Sequence, residues 1–588
     1  MKKVKFLNWL LVLFVVFTSF NLASCSDDDN YVGGGDGSEL PESNPNPAGD
    51  DFYAYVNGAW HKTLEETGES QGYVYDIAQV LAEKTAECAD NMPELPFVLE
   101  AFEKYSAEEN EARLDEIISD IIDDIETEED AYLAIGECVK MGLIDDYIRL
   151  YMTPRGSEVG FTLVPKSQAD EMDMNDVEEE EDDDEMSPED EVVEMIIEGM
   201  GLSADNYVDT GAIDEFIAGL MDSSVDEMKE FLQETIVDGL LPYCENKASA
   251  ASYFDEEIPN LLPYSLSRAF CEMYVTPEMK AQFKAYLEEL TDAFAKRLEN
   301  NTWLSSATKQ QALTKLDNMQ FCLGGADEWN DDFVADVKGE LLLDDIVEMK
   351  SNRSRIIEAT LGKSVRDESI TLLLFAPGGM PLNVNNSVYD VENNTVTIFP
   401  VYMMEPEYSI TMDPGKMYAL FYVLGHEITH GFDIEGAQFD SWGNEADWWT
   451  AEDRAKFEAL NAQFSEQIGT HEVAPGIYAP AENTITEDVA DLGGLNIAFD
   501  ALNAYLAKEG ITGEEMKNQQ RLFFEHYATR YRVKYTDEAF QSALNDIHSV
   551  ATVRVNALLQ HMDAWYDLYN VTEGDALYLP ADKRITIW

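Results

Sequence analysis

Two histidines and a glutamate have a spacing that can build a metal-dependent hydrolase. They occur in residues 425–430 (GHEITH), within an apolar stretch that begins near Met417 and predicts a helix. On a helix, His426 and His430 lie one turn apart on the same face, so both imidazoles can bind one metal ion. Glu427 lies about 100° around the helix from His426, where it can act as a general base without binding the metal. This spacing favours zinc-assisted hydrolysis; two histidines that serve only the surface or core of a helix are the alternative.

A downstream pair of carboxylates can complete such a site. Zinc with an open position for water needs a third protein ligand, and a carboxylate commonly joins two histidines. Glu487 and Asp491 are four residues apart in residues 486–494 (TEDVADLGG), so on a helix they face the same way. One of them can bind the metal while the other orients a ligand histidine. Without the first motif, both carboxylates would be typical of a solvated helix surface.

The composition predicts a folded chain large enough to hold these residues in a cleft. A chain of 588 residues is expected to form about two to four domain-sized units. Hydrophobic residues make up 45% of it, which is a globular composition despite a net charge of −79. Nucleic acid and anionic membrane surfaces repel a protein with this charge, so we do not expect them as partners.

The first residues indicate export. A basic start at residues 2–5 precedes an apolar stretch at 6–20, which is too short for an ordinary membrane span. The following residues 22–25 (LASC) resemble a bacterial lipobox, in which the cysteine becomes the lipidated first residue of the mature chain. We therefore expect a lipoprotein signal peptide at 1–24 and a membrane anchor at Cys25. A plain signal peptide with an incidental cysteine is the alternative.

Residues after the anchor favour a location outside the cytoplasm. Residues 26–29 (SDDD) resemble the acidic signals that direct some outer-membrane lipoproteins to the cell surface. The sequence therefore predicts an outer-membrane lipoprotein that faces the periplasm or the cell surface, with the surface favoured. Residues 31–49 are rich in Gly, Pro, Asn and Ser, which predicts a flexible tether that ends near Asp50.

The cysteine spacing argues against cysteine ligation of a metal. None of the six cysteines stands in a C-x-x-C pair. If Cys25 carries lipid, the remaining odd number cannot all pair within the chain. Buried thiols are the expected state, and one or two disulfides in an oxidising compartment are the alternative.

The hydrophobic pattern predicts helices first and a mixed region afterwards. Residues 75–365 are mostly helical in pattern, with one apolar face running from Met279 to Leu298 at steps of three and four. A run of acidic residues at 170–191 predicts an extended, solvated insertion, and calcium binding there is disfavoured because no calcium-loop spacing is present. The β-prone segments Thr371–Phe375 and Thr395–Phe399 predict a small sheet.

Motifs spread along nearly the whole folded part resemble the neprilysin family of zinc metallopeptidases. The segments that carry the resemblance are 51–53 (DFY), 56–60 (VNGAW), Trp303 with 308–319, 426–433 (HEITHGFD), 439–444 (FDSWGN), 448–450 (WWT), 486–494 and the final 585–588 (ITIW). The family implies a mainly α fold with a small β-sheet (α+β), in which two lobes enclose a central cavity and thermolysin-like zinc helices lie in the catalytic lobe. The expected division of the chain is signal peptide 1–24, lipidated tether 25–49, start of the catalytic lobe 50–75, helical lobe 76–365 and catalytic lobe 366–588.

The resemblance assigns roles to the residues of the metal motif. It implies that His426, His430 and Glu487 bind one Zn²⁺ per chain. Glu427 is then the general base, and Asp491 supports His426.

The resemblance also implies a set of residues that contact the substrate. His548 and Arg554 match the late histidine and arginine of the family, which stabilise the oxyanion and hold the substrate backbone. Without the resemblance, His548 alone would be interpreted as structural. The substrate-aligning motif of the family corresponds to residues 385–389 (NNSVY), which can be aligned in two ways. We take Asn386 and Ser387 as the substrate-binding pair.

The function implied is zinc-dependent endopeptidase activity on oligopeptides, with cleavage on the amino side of hydrophobic residues. Ala437 replaces the usual arginine of the family and Val550 replaces its usual proline, so specificity can differ while the metal motif is intact. One alternative is a surface peptide-binding lipoprotein with a retained but non-catalytic zinc site. The retained Glu427 argues against it, because binding alone needs no base. A zinc hydrolase with a non-peptide substrate is the second alternative.

Overall fold

The computed structural model describes residues 46–64, 68–155, 158–165, 187–367, 382–404 and 413–588. Several sequence predictions fall outside these ranges. They are the signal peptide 1–24, the anchor Cys25, most of the tether, the acidic residues 170–186 and the strand Thr371–Phe375.

Helices dominate the described chain, as the sequence predicted. In chain order they are α1 (Pro47–Asp50), α2 (Phe52–His61), α3 (Tyr73–Ala89), α4 (Leu95–Glu103), α5 (Ala107–Ile122), α6 (Glu128–Lys140), α7 (Pro188–Gly199), α8 (Asp214–Met221), α9 (Val225–Leu240), α10 (Lys247–Leu261), α11 (Pro263–Tyr274), α12 (Pro277–Asn300), α13 (Ser306–Asn318), α14 (Leu342–Thr360), α15 (Val401–Met404), α16 (Pro414–Leu420), α17 (Tyr422–His430), α18 (Ala451–Ile468), α19 (Ala481–Lys508), α20 (Gly513–Arg530), α21 (Asp537–Asn545), α22 (Ala551–Leu559) and α23 (Asp563–Tyr569). None of these described helices has the length and apolar character needed to cross a bilayer.

The strands of the described chain are short. They are β1 (Gln71–Gly72), β2 (Ile148–Arg155), β3 (Glu158–Pro165), β4 (Gln320–Leu323), β5 (Ser387–Asp390), β6 (Thr395–Ile398), β7 (Glu472–Ala474), β8 (Ile477–Tyr478) and β9 (Val533–Lys534). Three antiparallel pairs join β1 with β9, β2 with β3, and β7 with β8. The fourth sheet has the order β4-β6-β5, with β6 parallel to β4 and antiparallel to β5. The predicted strand at Thr395–Phe399 is thereby confirmed as β6.

The chain divides into two compact units. The helical unit comprises Glu83–Val275 and Gly324–Val384, and the metal-site unit comprises the described residues up to 82, Thr276–Leu323 and Asn385–Trp588. This division differs from the predicted lobes, because residues 276–323 were assigned to the helical lobe. The helical unit also extends beyond residue 365, where the predicted lobe ended, to Val384.

Helix α12 explains why residues 276–323 belong to the metal-site unit. Its predicted apolar face is confirmed from Phe283 to Leu298, and Met279 at its start is half-buried. The Phe283 ring lies 5.4 Å from that of Phe421, and the Phe294 ring lies 4.9 Å from that of Phe432. The apolar periodicity predicted which face is buried, but it carries no information on which other segment covers that face.

Segments from opposite ends of the sequence close the metal-site unit. The Asp51 carboxylate accepts a hydrogen bond of 2.9 Å from the Asn556 amide, 505 residues away, and the Tyr53 N–H donates to the oxygen of the same amide. The buried Trp588 accepts a hydrogen bond of 2.9 Å at its carbonyl from Arg297. The first two contacts join the start of α2 to α22, and the third joins α12 to the last residues of the unit.

The end of the acidic stretch is helical, which corrects the prediction of an extended insertion up to residue 191. Helix α7 begins after Ser187, whose hydroxyl accepts the Asp190 N–H while the Asp190 carboxylate accepts the Ser187 N–H. This capping box satisfies two free N–H groups, and carboxylates in the first turn interact favourably with the helix dipole. Local capping therefore outweighs charge repulsion at this end of the stretch.

The thiols of the described chain follow the expected state. Five cysteines are buried thiols that form no disulfide: Cys88, Cys138, Cys244, Cys271 and Cys322. The alternative of disulfides is therefore wrong for these five residues.

Candidate metal centre

Helix α17 carries both histidines and lies unusually close to helix α19. Gly425 of α17 faces Gly494 of α19, and a Cβ atom on Gly425 would lie 3.0 Å from the Gly494 Cα. A Cβ atom on Gly494 would lie 2.6 Å from the His426 nitrogen and 2.7 Å from the Tyr422 oxygen. The helices can approach this closely because both residues lack a side chain. The close approach brings Glu487 of α19 next to the histidines of α17.

Three side chains from the two helices converge on one point. The Nε2 atoms of His426 and His430 are 2.9 Å apart. Glu487 oxygens lie 3.3 Å from His426 Nε2 and 3.6 Å from His430 Nε2. Ligands at typical zinc distances on a tetrahedron are about 3.3 to 3.6 Å apart. The two Glu487 distances fall in this range, whereas the distance between the two Nε2 atoms is shorter. The structure therefore brings together the three residues that the sequence predicted as ligands.

The chemistry of these atoms also fits a cation. His426 Nδ1 lies 2.8 Å from an Asp491 oxygen, and His430 Nδ1 lies 2.6 Å from an Asp433 oxygen. Each carboxylate favours the tautomer with the proton on Nδ1, which leaves both Nε2 atoms with lone pairs that face each other. A metal ion between them removes this repulsion, and two imidazole nitrogens with one carboxylate form a common zinc ligand set.

Asp433 is a site residue that sequence reasoning missed. It is buried, it contacts His430 Nδ1, and its other oxygen accepts the Gly436 N–H at 2.9 Å. It thus supports His430 in the way that Asp491 supports His426. Asp433 lies beyond the end of α17, so helix spacing could not indicate it, and its place within the matched segment 426–433 was the available signal.

The general-base candidate stands beside the ligands. A Glu427 carboxylate oxygen lies within 4.8 Å of ligand nitrogens of His426 and His430. Burial raises the pKa of Glu427 above its ordinary value. A carboxylate with a raised pKa is a stronger base for water than an ordinary surface glutamate.

Protons and a metal ion compete for the ligand atoms. Burial alone would lower the pKa of His430, but Glu487 and Asp433 outweigh it and raise this pKa to about 10. Burial alone would raise the pKa of Glu487, but the charges on His430 and His548 hold it well below its ordinary range. Zinc binds neutral imidazole, so metal binding at this site releases protons.

His548 lies on the accessible side of the cluster. Its Nε2 atom is 3.2 Å from Glu487 Oε2, its Nδ1 is 2.8 Å from Asp546, and its side chain is 41% exposed. Desolvation lowers the pKa of His548, but Glu487 and Asp546 outweigh this effect and raise it to about 9. The raised pKa favours the protonated form of His548 while Glu487 carries an uncompensated charge.

Arg554 lies behind the metal ligands in this structure. Its Nε and Nη2 atoms lie 2.6 and 2.7 Å from the two oxygens of the buried Asp491. Its guanidinium also lies over the Tyr531 ring, 4.9 Å from the ring centre. Arg554 thus fixes the carboxylate that supports His426. The substrate contact that the resemblance implies for Arg554 stays a prediction.

The predicted substrate-binding pair lies at the start of β5. The Asn386 side chain accepts the Ser387 N–H at 2.9 Å, and Ser387 is buried with its hydroxyl accepting the Phe399 N–H at 3.4 Å. Strand β5 contacts the metal helix α17, so this segment lies beside the ligands. The Ser387 hydroxyl is already used within the sheet, and Asn386 is half-buried. The role of both residues in substrate binding stays a prediction.

A buried lysine supports the loop that carries Asp433. Lys315 on α13 is 1% exposed and donates to the carbonyl oxygens of Gly436 and Phe439 at 2.6 and 2.8 Å. We expect Lys315→Met to lower the free energy of unfolding by about 3 kcal/mol, because the buried Gly436 carbonyl loses its lysine donor. The half-buried Phe439 carbonyl also loses this donor but keeps the Trp448 indole N–H. Denaturant unfolding at one pH measures this loss.

Lys309 on the same helix provides the matched control. It is half-buried and donates to the Glu299 carbonyl at 2.9 Å near the surface. Lys309→Met should change the free energy of unfolding by about 0.5 kcal/mol or less. Equal losses for the two variants would contradict a special role of Lys315.

Comparisons with known proteins identify the family of the chain. Residues 386–585 and residues 204–325 match two sequence profiles, both described as Peptidase family M13. The chain is 27% identical over 393 residues to the neutral endopeptidase of Lactobacillus helveticus, and the match covers 62% of this chain and 57% of that protein. The chain thus spans a little over half the length of this relative.

Solved structures show the same fold. The zinc metalloprotease ZMP1 of Mycobacterium tuberculosis, solved with an inhibitor, has a TM-score of 0.69 at 17% identity, covering 92% of this chain and 97% of that one. PEPO from Lactobacillus rhamnosis has a TM-score of 0.68 at 20% identity, covering 92% and 99%. The two profile matches together include more than half of the residues. The chain therefore belongs to peptidase family M13, the neprilysin family of zinc metallopeptidases.

Proposed function

We propose that this protein is a zinc-dependent endopeptidase that hydrolyses oligopeptides. The observation that carries the proposal is the convergence of His426, His430 and Glu487 on one point, with Glu427 beside them and His548 on the accessible side. A binding site for a metal alone would need neither a base nor a proton donor in these two positions.

The chain's own residues supply the steps of amide hydrolysis. Zinc, when bound by His426, His430 and Glu487, polarises the scissile carbonyl and makes water a better nucleophile. Glu427 takes the proton from the attacking water and passes it to the leaving amine. His548 donates a hydrogen bond to the oxyanion of the tetrahedral intermediate.

Asp433 and Asp491 keep the ligand imidazoles in the required tautomer during this cycle. No covalent intermediate with the protein is required.

Strand β5 supports a peptide as the substrate. Among the described strands it pairs with β6 alone, so its other edge has no strand partner in that part of the chain. An extended peptide can add to such an edge through main-chain hydrogen bonds. Because β5 contacts α17, a peptide bound there would run beside the metal ligands. We propose that cleavage falls on the amino side of hydrophobic residues, as the family resemblance implies.

The test is cleavage of a mixed peptide library by the chain from residue 46 onward. We expect internal cleavage before hydrophobic residues, complete loss of activity with a chelator, and recovery on addition of stoichiometric zinc. Mass spectrometry of the products gives the cleavage positions, and elemental analysis gives the zinc content. A protein that holds one zinc yet cleaves no peptide would refute the peptidase and favour the peptide-binding alternative. Hydrolysis of non-peptide esters alone would favour the other alternative, a zinc hydrolase with a non-peptide substrate.

We propose in addition that the chain is anchored outside the cytoplasm through lipid on Cys25. The support is the sequence itself, in which an apolar stretch ends in residues 22–25 (LASC) and an acidic segment follows. Fractionation of cells that express the full chain tests this. We expect Cys25→Ser to move the protein from the membrane fraction to the soluble fraction, whereas Cys88→Ser should leave it at the membrane. Retention of the Cys25 variant in the membrane would contradict lipidation.

A further inference from the structure

Three buried side chains form a closed group next to the metal ligand Glu487. The Thr484 hydroxyl donates to Asp488 Oδ2 at 2.9 Å, and the Ser549 hydroxyl donates to the same oxygen at 3.0 Å. The two hydroxyl oxygens are 3.0 Å apart. Thr484 and Asp488 have no exposed surface, and Ser549 is 5% exposed. We call this group the Asp488 triangle (Thr484, Asp488 and Ser549). None of its members takes part in the steps of hydrolysis proposed above.

The triangle connects the two elements whose spacing the reaction needs. Asp488 follows Glu487 on α19, and Ser549 follows His548 in the segment 546–550 between α21 and α22. Glu487 Oε2 lies 3.2 Å from His548 Nε2. Glu487 therefore contacts His548, and the next helix residue, Asp488, contacts the next residue of the segment, Ser549. One contact would leave the segment free to rotate about it, whereas two contacts fix its distance and its orientation.

His548 needs such support because packing does not hold it. Its side chain is 41% exposed, and its polar contacts within the described chain are to Glu487 and to Asp546 of the same segment. The neighbouring Ser549 is buried and attached to α19. Ser549 attaches the segment to α19, and it is the residue next to His548, the group that must be placed accurately.

We propose that Asp488, acting through Ser549, is a positioning residue that holds His548 at the place where the oxyanion forms. The inference rests on the proposed function, since it assigns a role within the hydrolysis that His548 assists. Asp488 touches neither the substrate nor the metal in this assignment. It acts by keeping the segment 546–550 in register with α19.

The acceptor oxygen of Asp488 is the feature that the inference requires. Asp488→Ala leaves the hydroxyls of Thr484 and Ser549 without their shared acceptor and releases the segment. Asp488→Asn keeps one side-chain oxygen of the same geometry, so it can still accept both hydroxyls. Ser549→Ala removes the attachment from the other side.

The experiment measures kcat, KM, zinc content and melting temperature for these three variants with a peptide that the wild type cleaves. We expect Asp488→Ala and Ser549→Ala to lower kcat by about 10- to 100-fold, because a displacement of about 1 Å at a catalytic group has effects of this size. KM should stay within about twofold, since the contact with the oxyanion exists only in the transition state. Zinc content should not change. Asp488→Asn should restore kcat to within about threefold of the wild type.

A second background separates positioning from other effects. In protein that already carries His548→Ala, the triangle has no histidine to position. Asp488→Ala should then lower kcat by about twofold or less beyond the single His548 variant, because residues that act as one unit are strongly non-additive.

Thr308 supplies a matched structural control in the same unit. Its buried hydroxyl donates to the buried Asp453 at 2.7 Å, as Ser549 does to Asp488. Thr308→Ala should lower the melting temperature to a similar extent as Ser549→Ala but leave kcat unchanged. If the triangle had only a structural role, Ser549→Ala would behave like Thr308→Ala: its melting temperature would fall and its kcat would stay unchanged.

Three outcomes overturn the inference while leaving the peptidase intact. They are an unchanged kcat in Asp488→Ala, a kcat loss that persists in the His548→Ala background, and a loss of zinc in Asp488→Ala, which would mean action through Glu487. A wild type that binds zinc and cleaves no peptide overturns the proposed function and this inference together.

Discussion

Glu427→Gln is expected to lower kcat for peptide cleavage by about 1,000-fold or more while one zinc ion stays bound. The glutamine side chain has the same size as glutamate but cannot take a proton from water. Glu427 is 5% exposed and stands beside the three predicted ligands without being one of them, so the metal site should survive the change. Single-turnover cleavage of a quenched peptide and elemental analysis of the same sample test both halves of this prediction.

Glu482→Gln is the control for the loss of a carboxylate. Glu482 is exposed in the first turn of α19, five residues before Glu487. We expect its replacement to leave kcat and zinc content unchanged. If Glu427→Gln loses zinc, then Glu427 binds the metal; if it cleaves at the wild-type rate with zinc bound, then Glu427 is not the base.

Gly494→Ala is the second change with a large expected effect. The added Cβ atom would lie 2.6 Å from the His426 backbone nitrogen, a distance that real contacts do not reach, so α17 and α19 must separate. Overpacking of this kind costs about 1 to 3 kcal/mol of stability. Because His426 and Glu487 lie on different helices, the separation also pulls the metal ligands apart. We expect zinc affinity to fall by about 10- to 100-fold and kcat/KM by about 100-fold. Competition with a chromogenic zinc chelator measures the affinity.

Gly219→Ala makes the same chemical change where space is available. Gly219 lies in α8 of the helical unit, and a Cβ atom there would have no neighbour within 4 Å. This variant should be as active as the wild type and up to about 1 kcal/mol more stable, since alanine favours a helix. Unchanged zinc affinity in Gly494→Ala would contradict the idea that the glycine contact sets the distance between the ligands.

Local spacing indicated which residues could act as metal ligands. His426 and His430, and likewise Glu487 and Asp491, are four residues apart, and helix geometry alone places each pair on one face. The sequence thus indicated which atoms could meet within each helix. The family resemblance then joined the two helices into one site, which spacing within a single helix cannot do.

Contacts between distant segments were the part that sequence reasoning missed. Lys315 lies 121 residues from the Gly436 carbonyl that it supports, and Ser549 lies 61 residues from Asp488. Neither pair has a spacing rule, because such contacts depend on how whole elements pack. The same reason explains why the helix at Pro277–Asn300 was assigned to the other lobe: its apolar face was predicted correctly, but its partner was not.

The contacts that close the metal-site unit affect when activity can first arise during protein synthesis. They involve Asp51, Arg297, Asn556 and Trp588. Residues 505 positions apart must meet before α2 and α22 can join, so their contact cannot form while the ribosome is still making the second half of the chain. Folds with such long-range contacts also form slowly, because the chain loses conformational entropy on closing the loop before the stabilising contacts form. We therefore expect a nascent or truncated chain to lack an assembled active site. If the proposed peptidase activity is correct, it should therefore arise only after the residues around Asn556 have been synthesised.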